Sequence, residues 1–515
     1  MDFQNFNLFV SKKIKDYKIP GLSIAIISKE KELYKNSFGK VNISSDIKIT
    51  DNTLFRIGSL TKPIVATAVM KLVESKKLDL DSPIESYLDN FSFKNEKFRN
   101  SITVRKLLTH TAGFYDSGKL LAPNYSLKNL AYDISQSDPV VDIGDFSYSN
   151  NHYGMIGYII ESVTKASFEN WMQENIFLPL GMNDTTFSKE EVIKKGVAFG
   201  HLEDYDKKLN VIEELGENPS NNPSFYLFST LNDIIKFTSL YLSEKNDYIS
   251  DDFFKQLTDS VGSKQDFLSE FSLSFGIKYQ NGKRYLEHHG VVSNGFSSYI
   301  AIYPDDNLAI IILMNRVSDF IYDIIEEINT NYLGEDYFNF NLRYLPYIKK
   351  YSIIVGKYLG NSVGSIEIFE EKNKLILLMN KDSFNLSVAD NFQYFVKDET
   401  GEVIISIFLD KNMEKIFIDG EVAYKVDKFN SLNSLNIDGI YKHPFLNSIE
   451  IFTETLDSGE KVFIISDDSI ENELFFIKEN SFFAYGYNLI VFDIDKDGSI
   501  LGFQEDGFEY YSKIS

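Results

Sequence analysis

The sequence predicts an α+β domain over residues 1–335 and an all-β domain over 351–515, joined by a linker at 336–350. Three observations carry this. Apolar strand-like runs stand near the start of the chain, at Leu22–Ile27 and Leu33–Phe38, and recur at Ser297–Tyr303 and Leu308–Met314. The stretch between them is mainly helical in pattern, so distant parts of the chain must complete one sheet. After Gly334 the helical pattern stops, and short aromatic and β-branched runs alternate with Gly, Asn and Asp turns.

In chain order, Phe6, Phe9, Val10, Ile14 and Tyr17 fall at helical spacing, and Pro20-Gly21 stops that helix. The charged turn Ser28–Lys31 joins the next two strands into a hairpin. Asp51–Leu54 lead into Phe55-Arg56-Ile57-Gly58-Ser59-Leu60-Thr61-Lys62-Pro63. Beyond it Ile64, Ala68, Val69, Leu72 and Val73 form the apolar stripe of an amphipathic helix. Pro63 is tolerated in the first turn, where its missing N–H costs nothing. Met155, Ile156, Ile159 and Ile160 mark another helix, Phe168–Phe177 belong to a further one, and Leu227–Leu242 to a third. From Leu286 onward strands are expected, with Pro304-Asp305-Asp306-Asn307 as the last turn. Phe320, Ile321, Ile324, Ile325 and Ile328 then make a closing helix capped by Ser318.

At 515 residues the chain has room for two or three domains, and its 43% hydrophobic and 25% charged composition is that of a globular protein. A net charge of −23 argues against partners that need clustered positive charge, namely nucleic acid and anionic membrane. With no cysteine, disulfides and thiolate metal sites are excluded. Met1–Leu8 carry an acidic residue at once and no apolar core of signal-peptide length, and Leu308–Met314 is too short to span a bilayer. As written, the chain reads as soluble and cytoplasmic; one trimmed of a signal would read the same.

The all-β region repeats itself. Gly356-Lys357-Tyr358 recurs as Gly439-Ile440-Tyr441, and Ser365–Phe369 recurs as Ser448–Phe452, both at an offset of 83 residues. Two units are too few for a solenoid. Two sets of about four strands closing into one eight-stranded up-and-down barrel would leave no free edge. Such a barrel holds a ligand or is filled by its own side chains.

Three stretches carry chemistry. Ser59 and Lys62, three apart at the start of a helix, are neighbours about 5–6 Å apart at Cβ if they share a face. A lysine amine that is neutral part of the time can take the hydroxyl proton as the oxygen attacks a carbonyl. The helix N-terminus aims free N–H groups at the negative charge that develops. The pattern is short, and Ser28-Lys29-Glu30-Lys31 matches it as a solvated turn. In Ser147-Tyr148-Ser149-Asn150 the phenol can share the proton that Ser59 loses, and the amide can bond a substrate carbonyl and the lysine. Alone, that stretch reads equally as a polar loop with a helix cap. In Glu287-His288-His289-Gly290, a histidine at the start of an edge strand with glycine beyond it can line a cleft where substrate backbone pairs alongside. The His pair has no third ligand nearby and the chain has no H-E-x-x-H, so no metal or other cofactor is expected.

Together these stretches resemble the serine β-lactamase and penicillin-binding family, in its class C-like branch of peptidases, esterases and β-lactamases. The related class A pattern is S-x-x-K, S-D-N and K-T-G. Here the middle element has the class C form Tyr148-x-Asn150, and a histidine replaces the third element's Lys. Ile102–Gly113 (with Leu107-Leu108-Thr109-His110-Thr111-Ala112-Gly113), Pro179–Met182, Phe228–Asp233 and Asn294–Phe296 follow in the family's order, over residues 5–333. The resemblance implies a β-lactamase/transpeptidase-like catalytic domain with Ser59 as acylated nucleophile and Lys62 as its base partner. It implies that Tyr148 serves acylation and deacylation, that Asn150 contacts substrate, and that the N–H groups of Ser59 and of Val291 or Val292 form an oxyanion hole. Counted back without a gap from Gly295, the third-motif histidine is His289; counted from Gly290 it is His288. His289 is the first choice. His110 is expected to be a structural hydrogen-bonding residue.

By architecture and repeat, the C-terminal region resembles the lipocalin-like β-domains attached to some members of the family. A homo-oligomer with a β-domain beside a partner's cleft is one arrangement the resemblance allows. The expected function is hydrolysis, through an acyl-enzyme, of amide bonds in small peptides, including those with D-residues, because such members often carry β-domains. A carboxylesterase or β-lactamase is the alternative, and a non-catalytic protein that binds through the pocket or barrel is another. Fold alone does not choose among them.

Overall fold

A computed structural model describes residues 3–333, apart from 115–124, 138, 140–142, 204–207, 214, 217, 243–247, 261–268, 281–282, 293 and 319, and beyond them the strands between Gly356 and Lys513. The expected linker at 336–350 lies outside the described residues. Among the described residues seven strands make one antiparallel sheet: β1 (Gly21–Ile27), β2 (Glu32–Gly39), β3 (Ser269–Phe271), β4 (Gly276–Gln280), β5 (Lys283–Val292), β6 (Phe296–Tyr303) and β7 (Leu308–Met314). Their order is β2-β1-β7-β6-β5-β4-β3. The two ends of the domain meet at β1 and β7, in register from Leu22 opposite Met314 to Ile27 opposite Ala309. β3 and β4 are additions to the strands expected from sequence, because Ser-Glu-Phe and Gly-Ile-Lys-Tyr-Gln are too short and too mixed to show a period.

Among the described helices, α1 (Phe3–Asp16), α2 (Thr61–Glu74), α3 (Asn150–Thr164), α4 (Leu231–Ser239) and α5 (Phe320–Ile328) cover the sheet or build the site. β1, β6 and β7 are buried at every position because both faces of the sheet are covered. On one face Leu22, Ile24, Ile26, Ile310 and Ile312 pack against Phe6 and Val10 of α1 and the Phe320–Ile328 stripe of α5. Lys13 of α1 also pairs with Asp323 of α5 at 2.5 Å. On the other face Ala25, Ile27, Ile300, Ile302, Ile311 and Leu313 belong to the core shared with the helical middle of the domain.

Two helices differ from expectation. α2 is buried at every residue from Thr61 to Met70, not along one stripe. From Pro63 to Met70 it carries no charge, so it has no face to give to water and runs through the core. α4 starts only after Thr230, whose hydroxyl accepts the N–H of Asp233 at 3.1 Å. The preceding Phe228–Ser229 pair instead with Phe55–Arg56 as a short ladder. No described helix is long and apolar enough to cross a membrane.

The C-terminal strands correct the expectation of one barrel assembled from both repeats. Among the described residues each repeat contributes eight strands, not four, and pairs its own first strand with its own last. Gly356–Gly360 pairs with Gly364–Glu371 and with Glu421–Lys425. Gly439–Lys442 pairs with Ser448–Thr455 and with Glu509–Lys513. The recurring Gly-x-Tyr and Ser-Ile-Glu-Ile-Phe segments are the first and second strands of each set. The difference has a simple cause: strands of four to eight residues, separated mostly by a few residues of sequence, fit eight times into a repeat of this length.

Candidate active site

The site is assembled where the chain enters α2. Phe55–Arg56 is held by its ladder with Phe228–Ser229, and the Ile57 N–H donates to the Leu227 carbonyl at 3.0 Å. The Ser298 hydroxyl of β6 donates to the Ile57 carbonyl at 2.6 Å. Gly58 then turns with φ of 56°, and Gly58–Leu60 form a single 3₁₀ turn that delivers Ser59 to the head of α2. The left-handed angle favours glycine, and a Cβ there would also stand 2.8 Å from the Val291 nitrogen of β5.

Lys62 lies one turn on and is wholly buried. Its Nζ donates to Ser59 Oγ at 3.0 Å, to Asn150 Oδ1 at 2.7 Å and to the Ser224 carbonyl at 3.1 Å. The same Nζ stands 4.7 Å from the centre of the Tyr148 ring and 5.5 Å from that of Tyr153. Asn150 is the first residue of α3, so the turn carrying Tyr148 and the start of that helix reach the lysine together. Ser28 and Lys31, by contrast, form the exposed turn of the β1–β2 hairpin, where Ser28 N–H donates to the Lys31 carbonyl at 2.9 Å.

β5 supplies the opposite wall. Along it Leu286, His288, Gly290 and Val292 are buried, while Glu287 and His289 are half-buried. Strand side chains alternate faces, so His288 shares the face of Gly290 and His289 takes the other. His289 accordingly lies edge-on to the rings of Tyr299 and of Tyr322 on α5, at 6.0 Å from each. His288 Nδ1–H donates to the His289 carbonyl at 2.9 Å. Burial and then the Lys62 charge push its pKa down to about 3. The preference for His289 is therefore corrected: the side chain on the Ser59 side belongs to His288. Counting from Gly295 fails because a count carries no information about faces.

Gly290 sits hard against the nucleophile turn. A Cβ there would stand 2.3 Å from the Ile57 carbonyl oxygen, 2.3 Å from Ser298 Oγ and 3.1 Å from the Ser59 nitrogen. Gly290→Ala must therefore push β5 away from the turn. More than a tenfold loss in the rate of Ser59 modification is expected, read by labelling with a fluorophosphonate, with little change in helix content.

Two contributors are not found by reading the sequence. Ser224 acts through its carbonyl, which no residue type advertises; only the turn-rich Asn218-Pro219-Ser220-Asn221-Asn222-Pro223 points to a loop there. Arg56, also buried, stacks on the rings of Tyr226 and Phe228 at 4.0 and 4.2 Å and donates to the carbonyls of Leu215, Gly216 and Tyr226. It thereby ties the loop that carries Ser224 to the strand that leads into Ser59. Two more histidines stand near Lys62. Burial, and then the neighbouring charges of His152 and Lys62, hold His110 well below its ordinary pKa. Burial and then Lys62 push His152 down to about 3.

The sequence profile of the Beta-lactamase family matches residues 6–326. Protein flp of Staphylococcus aureus (strain NCTC 8325 / PS 47) is 24% identical over 334 residues. That match takes in 64% of this chain and 66% of the relative, so the chain spans just under two thirds of its length. Among solved structures, the octameric penicillin-binding protein homologue from Pyrococcus abyssi superposes with a TM-score of 0.59 at 24% identity, over 82% of this chain and 100% of that one. SurE with D-Leu superposes with a TM-score of 0.62 at 18% identity, over 82% of this chain and 99% of that one. Both structural matches take in more of the chain than the family profile does.

Proposed function

Because the chain belongs to the Beta-lactamase family, we propose that it is a serine hydrolase that forms an acyl-enzyme on Ser59. The observation that carries this reading is the contact of Lys62 Nζ with both Ser59 Oγ at 3.0 Å and Asn150 Oδ1 at 2.7 Å, in a wholly buried position. Ser59 Oγ attacks the substrate carbonyl carbon and its proton passes to Lys62, with Tyr148 as relay. The carbonyl oxygen takes the negative charge between the N–H groups of Ser59 and Val291. Collapse expels the leaving group, which takes up the proton, and water then cleaves the ester in the same manner. Asn150 fixes Lys62 and contacts the substrate, and His288 with Gly290 forms the strand wall along which it lies.

The substrate class proposed is the amide bond of small peptides, including those with D-residues. The penicillin-binding homologue and the SurE structure with D-Leu support that choice over a simple ester. The two C-terminal sets of strands are read as separate lipocalin-like up-and-down barrels, supported by the pairing of first strand with last in each. The octameric homologue supports a homo-oligomer.

The test is to treat the full chain with a fluorophosphonate and with a fluorescent penicillin, and to locate the adduct by mass spectrometry. An adduct on Ser59 is expected. Turnover is then compared on D- and L-aminoacyl amides, p-nitrophenyl esters and a chromogenic cephalosporin. Fastest hydrolysis of an amide supports the peptidase reading, fastest hydrolysis of an ester or of the cephalosporin replaces it, and no adduct on any serine leaves a binding protein.

A further inference from the structure

We propose that His110 is a positioning residue for Tyr148, gripping the backbone on either side of that residue and so setting where its ring meets Lys62. The inference rests on the reading of Tyr148 as a proton relay and asks what aims it.

His110 follows the short helix Val104–Leu108 and has a left-handed backbone, with φ of 55°. Its carbonyl accepts the N–H of Ser147 at 2.8 Å, and its ring Nδ1 accepts the N–H of Ser149 at 3.1 Å. The peptide N–H groups immediately before and after Tyr148 thus both end on one residue. The imidazole also lies 4.3 Å from the Tyr148 ring, tilted by 31°, and Lys62 Nζ stands 4.7 Å from that same ring. Next to His110, the Thr111 carbonyl accepts the N–H of Gly144, which fastens the start of the same segment.

The imidazole has little freedom. It is fully buried, and the rings of Phe146, Tyr153 and Phe271 surround it at 5.8, 5.4 and 5.6 Å. Since Nδ1 accepts, the proton of the neutral ring sits on Nε2, which has no hydrogen-bond partner among the described residues. Burial favours that neutral form. The useful parts of His110 are therefore its lone pair, its carbonyl and its left-handed bend. It donates no proton to this segment, and it is not a second base.

Asparagine can supply all three: it tolerates the left-handed region, and its Oδ1 corresponds to Nδ1. Glutamine places its acceptor one bond too far, and alanine has none. The readout is the rate of p-nitrophenyl acetate hydrolysis and of Ser59 labelling by a fluorophosphonate. His110→Ala should slow both by about 10²-fold, the scale of a lost proton relay. His110→Asn should recover to within about fivefold of wild type, and His110→Gln should stay near the alanine value. In a Tyr148→Phe background His110→Ala should cost less than about threefold more, since no phenol is left to aim.

A full 10²-fold further loss in that background would overturn the proposal, as would His110→Asn proving no better than His110→Gln while both keep native helix content. If His110→Ala does not fold, the Asn and Gln pair decides alone. A wild-type chain that neither hydrolyses the ester nor takes the label defeats the acyl-enzyme reading, and this inference with it.

Discussion

Ser59→Ala should lose hydrolysis by about 10⁴-fold or more and give no covalent adduct with either a fluorophosphonate or a penicillin, while keeping its fold. The change removes one oxygen from a nearly buried position, where it accepts a hydrogen bond from Lys62 Nζ. That amine keeps the Asn150 amide oxygen and the Ser224 carbonyl. The stability cost is therefore that of one hydrogen bond, about 1 kcal/mol. Lys62→Ala is a less clean probe. It should also stop acylation, but it leaves the Asn150 and Ser224 oxygens buried without this donor, and each such loss costs about 1–3 kcal/mol. A lower melting temperature for Lys62→Ala than for Ser59→Ala would show that the lysine holds α2, α3 and the 215–228 loop together. Hydrolysis surviving in pure Ser59→Ala protein would end the case for this nucleophile.

How legible the site is in the sequence depends on whether its parts act through side chains at local spacing. Ser59 and Lys62 are readable because one helical turn brings i and i+3 together, and Tyr148 and Asn150 because they stand at the entry of a strongly periodic helix. The choice between His288 and His289 turns on the face of a strand. The alternation Leu286, His288, Gly290, Val292 contains that information, whereas a count from Gly295 ignores it. Ser224 cannot be found, because a carbonyl oxygen belongs to every residue. Arg56 stands in plain view in the nucleophile stretch, but its aromatic partners Tyr226 and Phe228 lie 170 or more residues away. The sheet is legible where it is apolar, at β1, β6 and β7, and not at β3 and β4. α2 reads as amphipathic if only its stripe is considered; the uncharged run from Pro63 to Met70 is the sign that it crosses the core.

The histidines around Lys62 predict a second large effect, on stability in mild acid. An unfolded histidine titrates near 6.5, whereas in the folded protein burial and then the Lys62 charge hold His152 and His288 at about 3. Between these values the unfolded chain takes up protons that the folded one refuses, so stability is complete above pH 6.5 and falls as pH is lowered. The slope approaches about 1.4 kcal/mol per pH unit for each histidine, so about 3 kcal/mol per unit for the pair, and His110 acts in the same direction. The lowered carboxylates, Glu74 and Asp81 among them, act in the same direction, but only as pH falls into the ordinary carboxylate range near 4, so they add little between pH 6.5 and 5. Trp171, the single tryptophan of the chain, is 8% exposed in the same domain and reports its unfolding. The urea midpoint read by its fluorescence should hold from pH 8 to 7 and drop steadily from 6.5 to 5. His152→Gln keeps an acceptor for the Phe114 N–H that now donates to His152 Nε2 at 3.3 Å, and should flatten the drop by about one proton's worth. A midpoint unchanged down to pH 5, or a drop that His152→Gln leaves intact, would contradict this account. An imidazolium beside Lys62 would set two cations against each other, which is why the Lys62 charge adds to burial in keeping His152 and His288 neutral.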